Sequence, residues 1–168
     1  GGFAAATTWS TTFSDASGYG TEATGATLQL GDLNGDARAD VCVRATSGLV
    51  CALSTGTAFT RAHLWSFRAE FTDAGGWAAR RSLWGSFRLG DADGDGLADA
   101  CARSASGLVC STSTGTQFDG LRVVQPAFSD LQGWQPDAYG ASLAMSVRGA
   151  HSDVCGRGPA GVTCTRLR

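Results

Sequence analysis

The apolar residues of this chain fall in short runs separated by Gly-containing turns, a pattern typical of short strands rather than long helices. In the first group of runs the pattern predicts four strands, at residues 27–30, 40–45, 49–54 and 62–66. The two middle strands are apolar on both faces, with Val41, Val43, Val50 and Ala52 on one and Cys42, Leu49, Cys51 and Leu53 on the other. A sheet that is apolar on both faces suits a blade stacked between two neighbours.

This group of strands is repeated along the chain. The segment 30–42 recurs as 89–101, and an eroded third copy runs through residues 152–155 and 160–164. The repetition predicts one domain, residues 1–168, made of three repeats at about 10–66, 67–125 and 126–168. Residues 5–9 match the region around His63 to Trp65, so residues 1–9 are expected to supply the fourth strand that the last repeat lacks. The predicted fold is all-β and of β-propeller type, with three four-stranded blades per chain.

The six cysteines form three equally spaced pairs, each flanking a Gly-containing turn: Cys42 with Cys51, Cys101 with Cys110, and Cys155 with Cys164. A hairpin places such residues opposite each other, with Cα atoms about 4.5–5.5 Å apart, which overlaps the disulfide range. Free core thiols and a zinc site are the alternatives, but the closely spaced Cys pairs that zinc prefers are absent. Hairpin disulfides imply an oxidising compartment, and the protein is predicted to be secreted.

Charge and the length of the apolar runs exclude two classes of partner. The formal net charge is −2, and the 13 basic residues are all Arg and form no basic stripe. Nucleic acid is therefore not an expected partner. No apolar run approaches the length of a membrane span and no signal peptide is evident, so membrane insertion is not expected.

Two Asp-rich loops carry the clearest chemistry in the sequence. The pattern D-x-[DN]-x-D-x-x-x-D places oxygen-bearing side chains on alternate residues of a tight turn, and calcium prefers six to eight oxygen ligands. The predicted ligands are Asp32, Asn34, Asp36, Asp40 and the Arg38 carbonyl in the first loop, and Asp91, Asp93, Asp95, Asp99 and the Leu97 carbonyl in the second. The loops lack the final Glu of an EF-hand. Two calcium ions per chain are expected; the alternative is a pair of solvated turns without metal.

The third repeat is expected to bind no calcium. Its corresponding stretch, residues 146–153, is shorter and keeps only the final Asp153.

The two loops, followed by a Ser-Thr-Gly turn, make the chain resemble the FG-GAP/VCBS repeat family over nearly its whole length. The resemblance implies β-propeller blades of the integrin α-subunit type, with calcium in the loops. It also implies extracellular adhesion or glycan recognition, often as an appendage of a secreted hydrolase. Propeller lectins with related repeats look similar in blade design, although three units fall short of the usual four to eight blades.

A second motif, Phe-Ser/Thr-Asp-x-x-Gly-Tyr/Trp, precedes each repeat. A carboxylate near an aromatic ring can bind a sugar, because the ring stacks on the sugar face and the carboxylate accepts hydroxyl hydrogen bonds. The candidates are Asp15 with Tyr19, Asp73 with Trp77, and Asp130 with Trp134. The alternative is structural: the rings fill the gap between blades and the Asp forms an Asx-turn.

Catalysis is not predicted. His63 and His151 have no partner constellation, and Glu22 and Glu70 are the only Glu residues. A glycosidase needs two free carboxylates at a defined separation. The predicted function is a secreted, calcium-stabilised, propeller-type module that binds carbohydrate as lectins do, with a glycan or cell-surface ligand as its partner. The alternatives are a protein–protein adhesion module and a targeting appendage of a larger secreted hydrolase.

The blade number predicts self-association. Three blades would close a ring only with a very wide angle between neighbours, and an open arc would expose apolar faces. A homodimer of six blades, in which residues 5–9 of one chain complete the third blade of the other, leaves no open edge. A closed single-chain three-bladed fold is the competing interpretation.

Overall fold

The computed structural model describes residues 4–66, 68–148 and 151–167. Within these ranges eleven strands form three antiparallel sheets, here called the first, second and third sheets. The first contains β1 (Gln29–Gly31), β2 (Asp40–Ala45), β3 (Gly48–Ala52) and β4 (His63–Leu64). The second contains β5 (Arg88–Gly90), β6 (Asp99–Ser104), β7 (Gly107–Ser113) and β8 (Phe118–Gln125). The third contains β9 (Ala144–Arg148), β10 (His151–Gly158) and β11 (Gly161–Arg166), in the order β11-β10-β9.

The all-β prediction is confirmed, and the first two repeats form four-stranded sheets with strands close to the predicted ones. The fourth strand of the first sheet is shorter than expected, since only His63 and Leu64 pair with β3. Among the described residues the third sheet has three strands, and β11 lies at its edge. Residues 4–9 form no strand within the chain, and residues 1–3 of the predicted closing strand lie outside the described part.

The three disulfides are confirmed, as is the hairpin register that they require. Cys42 pairs with Cys51, Cys101 with Cys110 and Cys155 with Cys164, each across an antiparallel pair of strands. Each bridge joins Cα atoms 4.1 Å apart, slightly closer than expected. The described chain has no free cysteine. Three covalently closed hairpins of equal length indicate folding in an oxidising compartment.

Short helical turns precede the sheets. One-turn α-helices lie at Glu22–Gly25 (α1), Arg81–Trp84 (α2) and Asp137–Ala141 (α3), and 3₁₀ turns lie at Asp15–Ser17, Trp77–Ala79, Pro126–Phe128 and Asp130–Gln132. A hydroxyl just after each α-helix accepts a hydrogen bond from the middle of the next hairpin: Thr27 from Arg44 N, Ser86 from Arg103 N, and Ser142 from Arg157 N. The same helix-to-strand connection is therefore built three times.

The sheets stack face to face. We call the side of each sheet that carries its two cysteines the disulfide face, and the other side the opposite face. Cys42, Leu49 and Cys51 share one buried cluster with Ala100, Ala102 and Val109 on the opposite face of the second sheet. Cys101, Leu108 and Cys110 share a second cluster with Val154 of the third sheet. The first and second repeats thus each bury their disulfide face against the next repeat.

No helix of the described residues is long and apolar enough to cross a membrane.

Candidate functional site

The two Asp-rich loops connect the first two strands of the first and second sheets, and they share one conformation. Asp32 accepts hydrogen bonds from the amides of Gly35 (2.8 Å) and Ala37 (2.8 Å), and Asp91 accepts them from Gly94 (2.6 Å) and Gly96 (3.0 Å). The same four residues take positive φ values: 79° at Gly35 and 62° at Ala37 in the first loop, and 87° at Gly94 and 89° at Gly96 in the second. Only Ala37 among these four residues carries a Cβ, so the first loop bears backbone strain that the second avoids.

The last Asp of each loop is fully buried and anchors it to the sheet. Asp40 accepts hydrogen bonds from Leu33 N (2.9 Å) and Ser54 N (2.7 Å), and Asp99 accepts them from Ala92 N (2.7 Å) and Ser113 N (2.8 Å). Burial raises the pKa of the Asp40 carboxyl and raises that of Asp99 to about 6, with smaller contributions from the neighbouring loop carboxylates. A bound cation would relieve this cost by stabilising the charged carboxylate.

The two loops differ in the charged side chains around their candidate ligand oxygens. Oxygen atoms of Asp91, Asp93 and Asp99 lie within 4.8 Å of one another, as ligands of one cation must. In the first loop the Arg38 guanidinium forms an ion pair with Asp36 at 2.9 Å, while Leu97 stands at the equivalent position of the second loop. The backbone amides of Arg38 and Leu97 donate equivalent hydrogen bonds to Asp36 and Asp95. The donor set of the second loop therefore fits a calcium ion better, because no side-chain cation competes there.

The third repeat has no such loop among its described residues. Asp153 lies within β10 and forms an ion pair with Arg166 at 3.0 Å.

The carboxylates of the second motif bind buried arginines of the preceding sheet. Asp73 pairs with Arg44 at 2.6 Å, and Asp130 pairs with Arg103 at 2.7 Å and with Arg80 at 2.9 Å. Arg44 and Arg103 project from the disulfide faces and are 1% and 0% exposed. The backbone repeats this contact, since the amides of Asp73 and Asp130 donate to Thr46 O and Ala105 O. We call each of these arrangements an inter-sheet ion pair; each one ties a repeat to the segment that begins the next.

The aromatic residues of the motif pack inside it. Ring centroids are 4.8 Å apart for Phe71 and Trp77, and 4.7 Å apart for Phe128 and Trp134. Both Trp side chains are buried, so these contacts agree with the packing interpretation of the motif. The first copy differs: Tyr19 is half-buried against Phe13 at 5.2 Å, and Asp15 is exposed without an ion-pair partner among the described residues.

A small cavity of about 220 Å³ lies beside the second copy of the motif. It is lined by Gly75, Gly76, Trp77, Leu83, Ser104 and Ala105, and therefore lies between the motif and the hairpin turn of the second sheet. Asp73 lies two residues before Gly75 in the sequence. It pairs with Arg44 through one carboxylate oxygen, and 37% of its side chain is exposed. At the third copy, Pro159 occupies the space: a Cβ added at Gly133 would lie 3.3 Å from the Pro159 ring, whereas one added at Gly76 would meet nothing within 4 Å.

The remaining ionisable candidates form no catalytic constellation among the described residues. Glu70 accepts hydrogen bonds from Ser111 Oγ (2.9 Å) and Leu121 N (3.1 Å), and Glu22 pairs with Arg81 at 3.2 Å. The His63 ring lies 5.8 Å from the Trp65 ring on the exposed strand β4. The side chain of His151 lies outside the described residues.

The buried arginines are the feature that sequence reasoning missed. Arg is mostly exposed in proteins, so nothing in a single copy marks Arg44 as a core residue. The repeats nevertheless mark this position, because an Arg stands two residues after the first Cys of every pair, at positions 44, 103 and 157.

No protein-family model and no curated protein matches the chain. Among solved structures, one match is an Agrocybe aegerita lectin described in terms of its specific recognition of non-reducing terminal N-acetylglucosamine. The TM-score is 0.59 at 18% sequence identity over 83% of this chain. The match spans 42% of the lectin chain, so this chain covers less than half of that protein. At this identity the likeness establishes a shared β fold.

Proposed function

We propose that this chain is a secreted, calcium-stabilised module of β-propeller type that binds carbohydrate, in keeping with its resemblance to FG-GAP/VCBS repeats. The observation that carries the proposal is the fold shared with part of a lectin that recognises terminal N-acetylglucosamine. The stacked antiparallel sheets and the three disulfides support an extracellular role. The proposal includes no catalytic activity.

The cavity beside Trp77 is the proposed sugar contact. Its volume of about 220 Å³ is below the roughly 300–1,000 Å³ typical of sites for drug-sized ligands, so it suits one sugar residue rather than a long chain. Trp77 is largely buried, but it lines the cavity and gives it an apolar wall, and the partly exposed Asp73, two residues before Gly75, would be the hydroxyl acceptor at its rim. The glycines at 75 and 76 leave room because they carry no side chain.

Calcium, when bound, would supply positive charge to the buried carboxylates of the Asp-rich loops and stiffen them. In the second loop Asp91, Asp93 and Asp99, with Asp95 and the Leu97 carbonyl, would hold it. In the first, Asp32, Asn34, Asp36, Asp40 and the Arg38 carbonyl would do so. These residues position the strands of each sheet and do not contact the proposed sugar.

The sugar site is tested with Ala105→Pro, titrated calorimetrically with N-acetylglucosamine. Ala105 and Pro159 are the first residues of equivalent two-residue hairpin turns, and Pro already stands at this position in the third hairpin, so the fold should tolerate the substitution. We expect the proline ring to fill the cavity and abolish binding.

Pro159→Ala is the matched control, because it changes the equivalent turn of the third sheet and should leave binding intact. If the parent chain gives no heat with N-acetylglucosamine and shows no ligand on a glycan array, the carbohydrate proposal fails. The protein–protein adhesion alternative would then stand.

A further inference from the structure

The two junctions between neighbouring sheets share face-to-face packing and an inter-sheet ion pair, and the first junction adds an aromatic contact. At the first, the disulfide face of the first sheet covers the opposite face of the second sheet. Trp65, which follows the fourth strand, packs on Phe118 of the next repeat at 5.6 Å and accepts a hydrogen bond from its amide at 2.8 Å. An inter-sheet ion pair, Arg44–Asp73, adds the polar contact.

The third sheet carries one half of a junction, and none of the described residues forms a sheet against it. Val162 is 77% exposed, although its equivalents Leu49 and Leu108 are 0% and 1% exposed. Cys164 is likewise exposed, whereas Cys51 and Cys110 are buried. The β11 edge, which corresponds to the edge that β4 covers in the first sheet, is unpaired within the described residues. The disulfide face of the third sheet is therefore uncovered.

The first sheet carries the other half of a junction, on its opposite face. Its opposite face forms an almost wholly apolar groove of about 570 Å³, lined in part by Leu30, Ala39, Val41 and Phe59. The equivalent residues of the second sheet are Leu89, Ala98, Ala100 and Phe118, which the first sheet covers at the first junction. Leu30 is 56% exposed and Ala39 is exposed, so this surface lacks the sheet that would cover it.

The N-terminal segment is already seated at this groove as part of a junction. The Trp9 ring lies 5.5 Å from the Phe59 ring, and Trp9 O accepts a hydrogen bond from Phe59 N at 3.2 Å. Trp65 makes the same two contacts with Phe118. Trp9 therefore stands where the residue after the fourth strand of a preceding sheet would stand.

Asp15 and Arg157 are the residues that would form the inter-sheet ion pair of this junction. Asp15 is the first-motif equivalent of Asp73 and Asp130, and it is exposed without an ion-pair partner among the described residues. Arg157 is the third-sheet equivalent of Arg44 and Arg103, and its guanidinium lies over the Tyr139 ring at 5.3 Å rather than on a carboxylate. The Arg half of an inter-sheet ion pair thus lies on the uncovered face of the third sheet, and the Asp half lies in the segment that precedes the first sheet.

We propose that a second copy of this chain docks its first sheet on the uncovered disulfide face of the third sheet, with Asp15 of one copy bound to Arg157 of the other. Residues 7 and 8 then pair with β11, with Thr7 opposite Cys164 and Thr8 opposite Thr163, as His63 and Leu64 pair with Cys51 and Val50. This deepens the self-association predicted from the sequence and is independent of whether the module binds sugar.

The complementarity of the two faces is what selects a second copy as the occupant. Within the described residues, each chain holds one such apolar groove, one uncovered disulfide face, and the Asp15 and Arg157 halves of an inter-sheet ion pair, so two copies satisfy each other through two identical junctions. Burial of the exposed Val, Leu and Trp side chains would supply the main driving force.

Charge reversal tests this junction. Light scattering and sedimentation should give about twice the 17.2 kDa chain mass for the parent protein. Asp15→Arg and Arg157→Asp should each shift the protein to the mass of one chain, because each places like charges in both junctions. An equimolar mixture of the two variants should recover the doubled mass, since Arg157 of one then faces Asp15 of the other and the reversed pair forms at the second junction.

Asp119→Arg, which reverses an exposed charge on β8 of the second sheet and so lies outside the proposed junction, is the control and should leave the mass unchanged. Circular dichroism separates loss of assembly from loss of folding in each variant. A parent protein of single-chain mass, single variants that still pair, or a mixture that stays at single-chain mass would each overturn the proposed junction. Sugar binding by a single-chain species would leave the carbohydrate proposal standing on its own.

Discussion

At the residue scale, the most consequential side chains are two arginines in the core. Arg103 is fully buried and forms hydrogen bonds to Asp130 through both terminal nitrogens, at 2.7 and 2.8 Å. Burial lowers the pKa of Arg103, and the Asp130 charge opposes that shift. A buried guanidinium is tolerated only with a partner, so the Asp of the second motif is a structural requirement at this junction.

The first prediction is that Asp130→Asn destabilises the fold strongly. The substitution leaves the buried charge of Arg103 without its counter-charge, and loss of one partner of a buried pair costs about 3–5 kcal/mol. The free energy of unfolding in urea measures the effect. Asp153→Asn, which removes one partner of an exposed pair, should cost less than about 1 kcal/mol. Equal effects of the two substitutions would contradict the role assigned to Asp130.

At the element scale, the sequence was informative wherever the spacing is fixed by geometry. The equal Cys spacing and the period-two alternation set the register of all three hairpins, because a shift by one residue would move every side chain to the other face. The one-turn helices were not predicted, since four or five residues are too few to show a helical period. Burial of Arg44 and Arg103 depends on a carboxylate 27 or 29 residues away, which no local pattern reveals.

The second prediction concerns the difference between the Asp-rich loops. In the first loop Arg38 neutralises Asp36, and Ala37 holds a strained positive φ; in the second, Leu97 and Gly96 stand at these positions. We expect the second loop to bind calcium more tightly. Arg38→Leu should raise the calcium affinity of the first loop, because it removes a competing positive charge from the ligand set.

Calorimetry on single-site backgrounds measures this difference. Asp95→Ala should leave only the first site and Asp36→Ala only the second, and Asp153→Ala should remove neither. The calcium affinity of the double variant Arg38→Leu/Asp95→Ala is then compared with that of Asp95→Ala alone. If the first loop binds calcium more tightly, or if its affinity is indifferent to Arg38, the competition argument is wrong.

At the scale of the whole molecule, the first Asp-rich loop also belongs to a junction between sheets. Asp32 O accepts a hydrogen bond from Ala98 N at 2.7 Å, and Leu33 O accepts one from Ser113 Oγ at 2.7 Å. Leu33 is fully buried in the cluster between the first and second sheets. The order of this loop is therefore coupled to the packing of one repeat on the next.

The last prediction follows from that coupling. Ions that bind only the folded state stabilise it by mass action, by about 2.7 kcal/mol for each site at a hundredfold excess over Kd. Removing calcium with a chelator should lower the melting temperature, and adding calcium back should restore it, with two ions bound per chain. Hydrogen exchange should show where the order is lost: amides at the first junction, Ala98 and Phe118 among them, should exchange faster, while the β10–β11 hairpin, which holds no Asp-rich loop, should change least. If the chelator leaves the melting temperature unchanged, calcium does not stabilise the fold. If amide protection is lost uniformly along the chain, the loops do not act through the first junction.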